Sequence, residues 1–400
     1  MNPKTKNLKP NPYNNIIATI VIAQFACTSI WFAGNAVIAD IQQELNLASG
    51  LVGQLTSAVQ LGFIIGTLVF ALFTISDRFS PSKVFFVAAT AGALSNLGVY
   101  WATSAELLLS LRFITGFCLA GIYPVGMKIA ADYREKGLGM ALGLLVGALV
   151  LGTAFPHLLK AFTGNIPWRY VIIATSFFAF WGGLSVISMV PNGPFRKKSQ
   201  QVDLKAFMRI FKEKPFRLAA FGYFGHMWEL YAFWAFVPSM FVFYQTKNEY
   251  ELDVSMLAFF AIAIGGLGCA FGGVLSGKLG NAKVALYALI ISGLSCILSP
   301  LIYSLPFSLF MIFMMIWGLS VVADSPQFST LVAQTAPATS KGTALTIVNS
   351  IGFAITIFSI LLINTFIESN PATIYLLLAP GPLFGSISML RFIKLQRQSS

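Results

Sequence analysis

The residues best suited to chemistry in this sequence are ionisable side chains inside long apolar stretches. Glu229 lies in the middle of one stretch, and His226 precedes it by about one helical turn on the same face. An ionised carboxylate is costly away from water, and an imidazole titrates near neutral pH, so the two could share or pass on a proton. We predict that both take part in proton coupling. A permanently neutral Glu229 and a structural His226 are the alternatives.

Arg112 and Asp324 are further ionisable residues within apolar stretches. A cation in hydrocarbon costs at least about 2 to 3 kcal/mol unless it faces a cavity or a partner, and arginine keeps its proton. Arg112 is therefore predicted to be a counter-ion or an anion anchor, with snorkelling to the headgroups as the alternative. Asp324 precedes Pro326, which favours a kink. Asp324 could bind a cation, pair with a basic loop residue, or serve only a structural role at the membrane edge.

Polar and aromatic side chains form a second group of candidates. Spacings of 4, 3 and 4 place four residues on one helical stripe: Gln24, Thr28, Trp31 and Asn35. They are predicted to line a solute pocket together with three aromatic residues: Tyr123, Trp228 and Tyr231. For each residue alone, the alternative is hydrogen bonding between helices or a place in the aromatic belt at the membrane surface.

Helices that cross a membrane must position these side chains. Of the 400 residues, 56% are hydrophobic and only 10% are charged, whereas a soluble globular chain carries about 25% charged residues. The net charge of +12 fits basic residues that flank membrane spans better than it fits a nucleic-acid partner. The lipid bilayer is therefore an expected partner, and nucleic acid is not.

Apolar runs that can cross about 30 Å of hydrocarbon predict an all-α integral membrane fold of twelve helices. Spans 1 to 6 are expected at 15–39, 51–75, 84–103, 107–127, 138–161 and 168–190. Spans 7 to 12 are expected at 216–244, 254–275, 284–303, 307–327, 342–366 and 372–391. The expected domains are a six-helix bundle over 1–190, a linker over 191–215 and a second bundle over 216–400. Residues 203–214 of the linker could form a short amphipathic helix at the membrane surface.

Charge asymmetry predicts the orientation of the chain. If the N-terminus is cytoplasmic, 22 of the 26 Lys and Arg residues lie in inside segments, and the outside loops are acidic. Such a bias in short loops is typical of cytoplasmic segments. We therefore expect a multi-pass protein of the cell (inner) membrane with both termini in the cytoplasm.

The sequence indicates no metal, cofactor or enzymatic site. The four cysteines are far apart within apolar runs, and two histidines cannot complete a zinc site. We find no HExxH, GxSxG or GxxxxGK[ST] motif, which disfavours intramembrane hydrolysis and ATP-driven transport. No cofactor is expected, and the protein is not predicted to be an enzyme.

The two halves of the chain repeat each other at a shift of 200 to 203 residues. Arg78 and Lys83 match basic residues 200 positions later, and Gly116 and Pro124 match Gly318 and Pro326 at a shift of 202. Parallel repeats of six helices are a known way of building transporters, with the solute site between the halves.

Two motifs resemble those of the major facilitator superfamily. Asp77-Arg78-x-Ser80-x-x-Lys83 is similar to its signature loop between spans 2 and 3, although Phe73 and Ser80 replace the expected glycines. The stretch 111–121, built around Arg112, resembles its fourth-helix motif. The resemblance covers essentially the whole chain and implies two pseudo-symmetric six-helix bundles.

The resemblance also implies roles for these motifs. The resemblance implies that Asp77, Arg78 and Lys83 form a conformational latch, which clamps the two bundles together in the outward-open state. For Arg78 and Lys83, the alternative is that they only follow the usual excess of basic residues in cytoplasmic loops. The resemblance further implies that Arg112 supports proton coupling and that the protein is a monomer. A Gly-Pro pair, frequent in span 5 of the family's antiporter exporters, does not occur in span 5 here, which favours uptake.

The function predicted from these observations is secondary active transport of a small organic solute by alternating access, coupled to protons and directed towards uptake. A proton-driven drug or metabolite exporter is the first alternative. A non-transporting membrane receptor or sensor on the same scaffold is the alternative from another class.

Overall fold

A computed structural model describes residues 13–47, 50–133, 138–164, 166–196, 209–337 and 341–399. The described chain is almost entirely helical and forms twelve membrane spans in two six-helix bundles. Ten of these spans are long and apolar enough to qualify on length and hydropathy alone. Span 1 is interrupted, and its longest apolar piece is Asn15–Thr28.

The N-terminal bundle contains spans 1 to 6. Span 1 consists of two helices, Asn14–Thr28 and Ala33–Ala36. A further short helix, Ile38–Leu45, lies in the loop that leads to span 2, which is Leu51–Leu72. A short helix, Ile75–Arg78, precedes span 3, which is Pro81–Gly98 followed by the 3₁₀ turn Val99–Trp101. Span 4 consists of Ala105–Leu119 and Tyr123–Asp132, span 5 is Leu138–Thr163 and span 6 is Arg169–Met189.

The C-terminal bundle contains spans 7 to 12. Span 7 is the long helix Lys214–Asn248, span 8 is Val254–Leu279 and span 9 is Asn281–Ile302. Span 10 consists of Phe307–Ala323 and Ser325–Thr335, and span 11 is Lys341–Phe366. Span 12 begins with the 3₁₀ turn Ile374–Leu378 and continues as Pro380–Ser399.

The twelve predicted spans are confirmed, and several helices continue further than their apolar cores. Span 4 continues to Asp132 and span 10 to Thr335, because their last turns carry polar residues that a count of apolar residues leaves out. The first half of the surface helix predicted at 203–214, residues 203–208, lies outside the described residues.

Spans 4 and 10 break at places that are equivalent in the repeat. Pro124 and Pro326 each occupy the first turn of the second helix of their span. Proline has no backbone N–H to donate, so it is tolerated in the first turn of a helix and disfavoured further in. The predicted kink before Pro326 is therefore a full break at Asp324.

Close helix packing explains why both halves of the chain have glycine at the equivalent positions Gly116 and Gly318. A Cβ on Gly116 would overlap the carbonyl oxygen of Val59 in span 2, and a Cβ on Gly318 would overlap that of Ala261 in span 8. Both pairs are related by the same shift of 202 residues. Close approach of helix backbones through glycine is a common way of packing membrane helices.

The two bundles contact each other mainly through two helix pairs, spans 5 and 8 and spans 2 and 11. We call the side that carries the loop between spans 2 and 3 the basic face. The side that carries the loop between spans 1 and 2, with Asp40 and Glu44, is the acidic face. The orientation of these faces in a cell stays a prediction.

Candidate solute path and proton site

A cavity of about 560 Å³ lies between the two bundles. Its mouth is at the basic face, where Asp77, Lys128 and Lys341 line it. Its inner end is lined by aromatic side chains from both halves: Phe63, Tyr231, Trp234 and Phe353. Because both bundles contribute to its wall, a relative movement of the bundles would change its access.

Aromatic rings close the inner end of this cavity. Trp31 stacks on Phe353 with 5.9 Å between ring centroids and lies 5.7 Å from Tyr231, while Phe63 lies 4.5 Å from Phe353. We call Trp31, Phe63, Tyr231 and Phe353 the aromatic plug. All four are at most 4% exposed, and each half of the chain supplies two of them. The plug therefore separates the cavity from the acidic face.

A second contact closes the path nearer the acidic face. The backbone N–H of Gly53 at the start of span 2 donates to Asn364 Oδ1 in span 11, at 3.0 Å. Together with the plug, this contact makes the described conformation open at the basic face and closed at the acidic face.

Arg112 is fully buried and holds the interruption of span 1. Its Nη1 donates to Asn96 Oδ1 at 3.0 Å, and its Nη2 donates to the carbonyl oxygens of Ile30, at 2.9 Å, and Trp31. Those carbonyls follow the end of helix Asn14–Thr28, where helix backbone acceptors are left unpaired and the helix dipole is negative. The snorkelling alternative is wrong, since Arg112 is 0% exposed. Among the described residues its partners are an amide and backbone carbonyls rather than a carboxylate.

His226 and Asp324 form a buried pair in the C-terminal bundle. His226 Nδ1 lies 2.8 Å from Asp324 Oδ1, and both side chains are at most 2% exposed. Asp324 occupies the break in span 10 and directly precedes Ser325, which lines the cavity. The expectation of a His226–Glu229 hydrogen bond is wrong in this structure, because the imidazole turns to span 10 instead.

Glu229 also lies inside the C-terminal bundle, away from the cavity wall. Its Oε1 accepts from Trp317 Nε1 at 2.6 Å and from Cys296 Sγ at 3.2 Å. Span 7 lines the cavity with Leu230 and Tyr231, and successive helical residues point about 100° apart. The expectation that Glu229 faces a water-accessible cleft therefore does not hold in this conformation.

The residues of the predicted latch all lie at the basic face. Asp77 forms an ion pair with Lys128 of span 4, and Arg196 Nη2 donates to the Asp77 carbonyl at 2.9 Å. Arg78 Nε donates to Thr74 Oγ1 at 3.2 Å, and Lys83 is exposed. These contacts all stay within the N-terminal half, so a clamp between the bundles is not formed while the basic face is open.

The predicted solute-binding residues divide into two groups. Tyr123 and Tyr231 line the cavity, and Trp31 belongs to the plug at its end. The other four point elsewhere. Gln24 and Thr28 are buried against spans 4 and 5, Asn35 Nδ2 donates to Thr56 Oγ1 at 2.7 Å, and Trp228 Nε1 donates to Leu377 O at 2.9 Å.

Several residues that line the cavity were not among the candidates predicted from the sequence. Tyr223, Met227 and Leu230 line the cavity beside Tyr231, at helical spacings that a 3.6-residue period would have grouped with it. Asn349 and Thr346 of span 11 line it as well. Two polar residues close together in an apolar stretch could have indicated this from the sequence.

Comparison with known proteins identifies the family. The sequence profile of the Major Facilitator Superfamily matches residues 20–360. This chain belongs to that superfamily. Among solved structures, a bacterial homologue of the human lysosomal transporter Spinster, described as inward-facing and unoccupied, superimposes with a TM-score of 0.71 at 15% identity. The match covers 97% of this chain and 98% of the homologue. The nucleoside transporter NupG gives 0.70 at 13% identity, over 95% of this chain and 99% of NupG.

Curated relatives of this superfamily member are transporters matched over part of their length. The efflux pump FUBT of Fusarium oxysporum is 27% identical over 208 residues, which cover 50% of this chain and 35% of the pump. The putative transporter AraJ of Escherichia coli (strain K12) is 23% identical over 274 residues, 66% of this chain and 65% of AraJ. The chloramphenicol resistance protein of Streptomyces lividans is 26% identical over 183 residues, 44% of this chain and 45% of that protein. The matches thus span between about a third and two thirds of these proteins. General transport, rather than enzymatic activity, follows from the family.

Proposed function

We propose that the protein is a proton-coupled secondary transporter that takes up a small organic solute by alternating access. One observation carries this proposal: a cavity shared by both bundles opens at one face only, while side chains from both halves close the other end. Rocking of the bundles would open the acidic face and form the latch at the basic face. The protein acts as a monomer, in the inner or plasma membrane.

The coupling group we propose is the His226–Asp324 pair. An imidazole and a carboxylate at 2.8 Å can hold one proton between them, and both are costly to ionise separately inside a membrane. Asp324 precedes the cavity-lining Ser325, so a change in the charge of the pair acts at the break of span 10. Glu229 stays a predicted second proton site within the same bundle, and Arg112 supports coupling by holding span 1.

Proton-driven export is a second candidate, favoured by relatives named as efflux pumps. Uptake and export differ in the direction in which the proton moves relative to the solute. A symporter carries both in the same direction, whereas a proton-driven exporter carries them in opposite directions.

Flux in proteoliposomes tests the proposal. The purified protein is reconstituted, a pH gradient is imposed, and uptake from a mixture of small organic metabolites is followed by mass spectrometry. Symport predicts accumulation in vesicles with an alkaline interior, and proton-driven export predicts accumulation in vesicles with an acidic interior. If neither gradient drives accumulation of any metabolite beyond that in protein-free vesicles, the proposal of coupled transport is wrong.

Three variants then locate the coupling group. Asp324→Asn and His226→Gln should abolish gradient-driven accumulation but retain solute exchange without a gradient, since exchange needs no net proton movement. Glu251→Gln, which removes an exposed carboxylate, is the matched control and should behave like the unmodified protein. Accumulation that persists in both pair variants and is lost in Glu229→Gln would move the coupling site to Glu229.

A further inference from the structure

Three tyrosines of the cavity wall form a group that the proton chemistry does not use. Tyr123 comes from span 4, while Tyr223 and Tyr231 come from span 7 of the other bundle. All three side chains line the same cavity. We call them the tyrosine triad. Both bundles thus contribute phenol groups to the cavity wall.

The hydroxyls of the triad are available to a ligand. None of the three makes a hydrogen bond to another side chain or backbone group of the described residues. A phenol O–H can both donate and accept, and such groups normally find a partner when they are buried. A solute with carbonyl or hydroxyl groups would supply those partners.

Formal charge in the described cavity lining is confined to the mouth. The three charged lining residues there are Asp77, Lys128 and Lys341, and the first two neutralise each other in an ion pair. A charged solute that moved inwards past them would lose water without gaining a counter-ion, which is unfavourable in an apolar site. The inner cavity therefore selects against charge.

The rest of the cavity wall is mainly apolar, with Thr346 and Asn349 among its polar members. Phe63, Phe353 and Trp234 contribute aromatic rings to the wall, and Met227 and Leu230 of span 7 line it as well. Aromatic ligands gain both buried area and ring contacts on such a surface. A volume of about 560 Å³ is in the range of sites for drug-sized molecules.

We infer that the solute is an uncharged aromatic molecule that carries carbonyl or hydroxyl groups, and that the tyrosine triad recognises those groups. The inference rests on the proposed function for its biological meaning. Binding itself can be measured without transport, so the two can fail separately.

Calorimetric titration of the purified protein in detergent tests the inference with four naphthalene probes. They share one ring system: 6-hydroxy-2-acetylnaphthalene is neutral and polar, 6-hydroxy-2-naphthoate is anionic, 6-hydroxy-2-(aminomethyl)naphthalene is cationic, and 2-ethylnaphthalene is apolar. The neutral ketone should bind at least about tenfold more tightly than the anion or the cation, since either charged probe must give up water in the inner cavity. Equal or tighter binding of either charged probe would overturn the inference.

Variants of the tyrosine triad provide a second test in the same titration. Tyr123→Phe, Tyr223→Phe and Tyr231→Phe keep the ring and remove one hydroxyl each, so at least one should weaken ketone binding by about 2- to 10-fold. Binding of 2-ethylnaphthalene should not change in any of them, which separates recognition from a general loss of folding. Tyr287→Phe alters an exposed tyrosine and serves as the control. If all three variants bind the ketone like the unmodified protein, the triad has no role in recognition.

The two proposals give different patterns of failure. Ketone binding without any gradient-driven flux contradicts the proposed transport and supports the inference. Coupled flux of a charged metabolite, together with no binding of the ketone, contradicts the inference and supports the proposed transport.

Discussion

Asn364 Oδ1 accepts a hydrogen bond from the backbone N–H of Gly53, and this contact joins the two halves of the protein near the acidic face. A Cβ placed on Gly53 would lie 2.6 Å from Asn364 Cβ, well inside van der Waals contact. Asn364 Cβ is fixed to the backbone of span 11, so a rotation of the side chain does not relieve the overlap. Spans 2 and 11 can meet here only because residue 53 has no side chain.

Gly53→Ala should shift the protein towards a state that is open at the acidic face. The expected readout is labelling of a cysteine introduced as Gln60→Cys, which is fully buried in span 2, by a membrane-impermeant maleimide. Labelling should be several-fold faster with Gly53→Ala than without it, since the added methyl group separates the spans. The four native cysteines are buried and provide a low background. Gly273→Ala, with open space around its Cβ, is the matched control, and equal rates in both alanine variants would contradict the role of this contact.

Arg112→Ala should lower the free energy of unfolding. The change leaves the carbonyl oxygens of Ile30 and Trp31 and the amide of Asn96 without their buried donor, and each such loss costs about 1–3 kcal/mol. Arg112→Lys should restore only part of the stability, because an ammonium group cannot place donors as the two planar Nη groups of the guanidinium do. Thermal unfolding in detergent measures both. Lys278→Ala removes an exposed cation as a control, and a melting temperature for Arg112→Ala equal to that of the control would contradict the prediction.

Glu229→Gln and Glu229→Leu should differ in stability. Glutamine keeps an oxygen that can accept from Trp317 Nε1 and Cys296 Sγ, so its melting temperature should stay near that of the unmodified protein. Leucine leaves the indole N–H unpaired in the bundle, which costs about 1–3 kcal/mol. Thermal unfolding of the two variants side by side gives the answer. A glutamine variant as unstable as the leucine variant would show that the ionised carboxylate itself is needed for folding.

Glu44 should give the acidic face a small pH-dependent stability. Hydrogen bonds from Arg169 and Trp168 lower the pKa of the Glu44 carboxyl below its usual value. Because the folded pKa is the lower one, the stabilisation is fully present above the unfolded pKa and is lost as pH falls through the folded pKa. The pair is solvent-exposed, so the effect is about 1 kcal/mol or less.

The measurement for Glu44 is a comparison of thermal unfolding between the unmodified protein and Glu44→Gln at pH 7 and at a pH below 4. The unmodified protein should be the more stable of the two at pH 7, and the difference should shrink in acid. Raising the salt concentration at pH 7 should shrink it as well. A difference that grows in acid would have the wrong sign for this ion pair.

The number of spans and a bend at Pro326 could be predicted from the sequence, because length, hydropathy and proline act locally. The direction of each side chain could not. Span 7 is apolar on nearly every side, so its pattern does not tell whether Glu229 or its neighbour Leu230 faces the cavity. His226 and Glu229 are one helical turn apart, but the partner of His226 lies almost a hundred residues away, at Asp324. Such pairings depend on how helices pack, which periodicity within one helix does not encode.

The aromatic plug has a consequence for the insulation of the membrane. Trp31 and Phe63 belong to one half of the protein, and Tyr231 and Phe353 belong to the other, so neither half can form the seal alone. Each ring also contacts more than one other ring, so loss of a single ring still leaves a stacked barrier behind. The barrier to small ions between the cavity and the acidic face is thus shared by several side chains of both halves instead of depending on one.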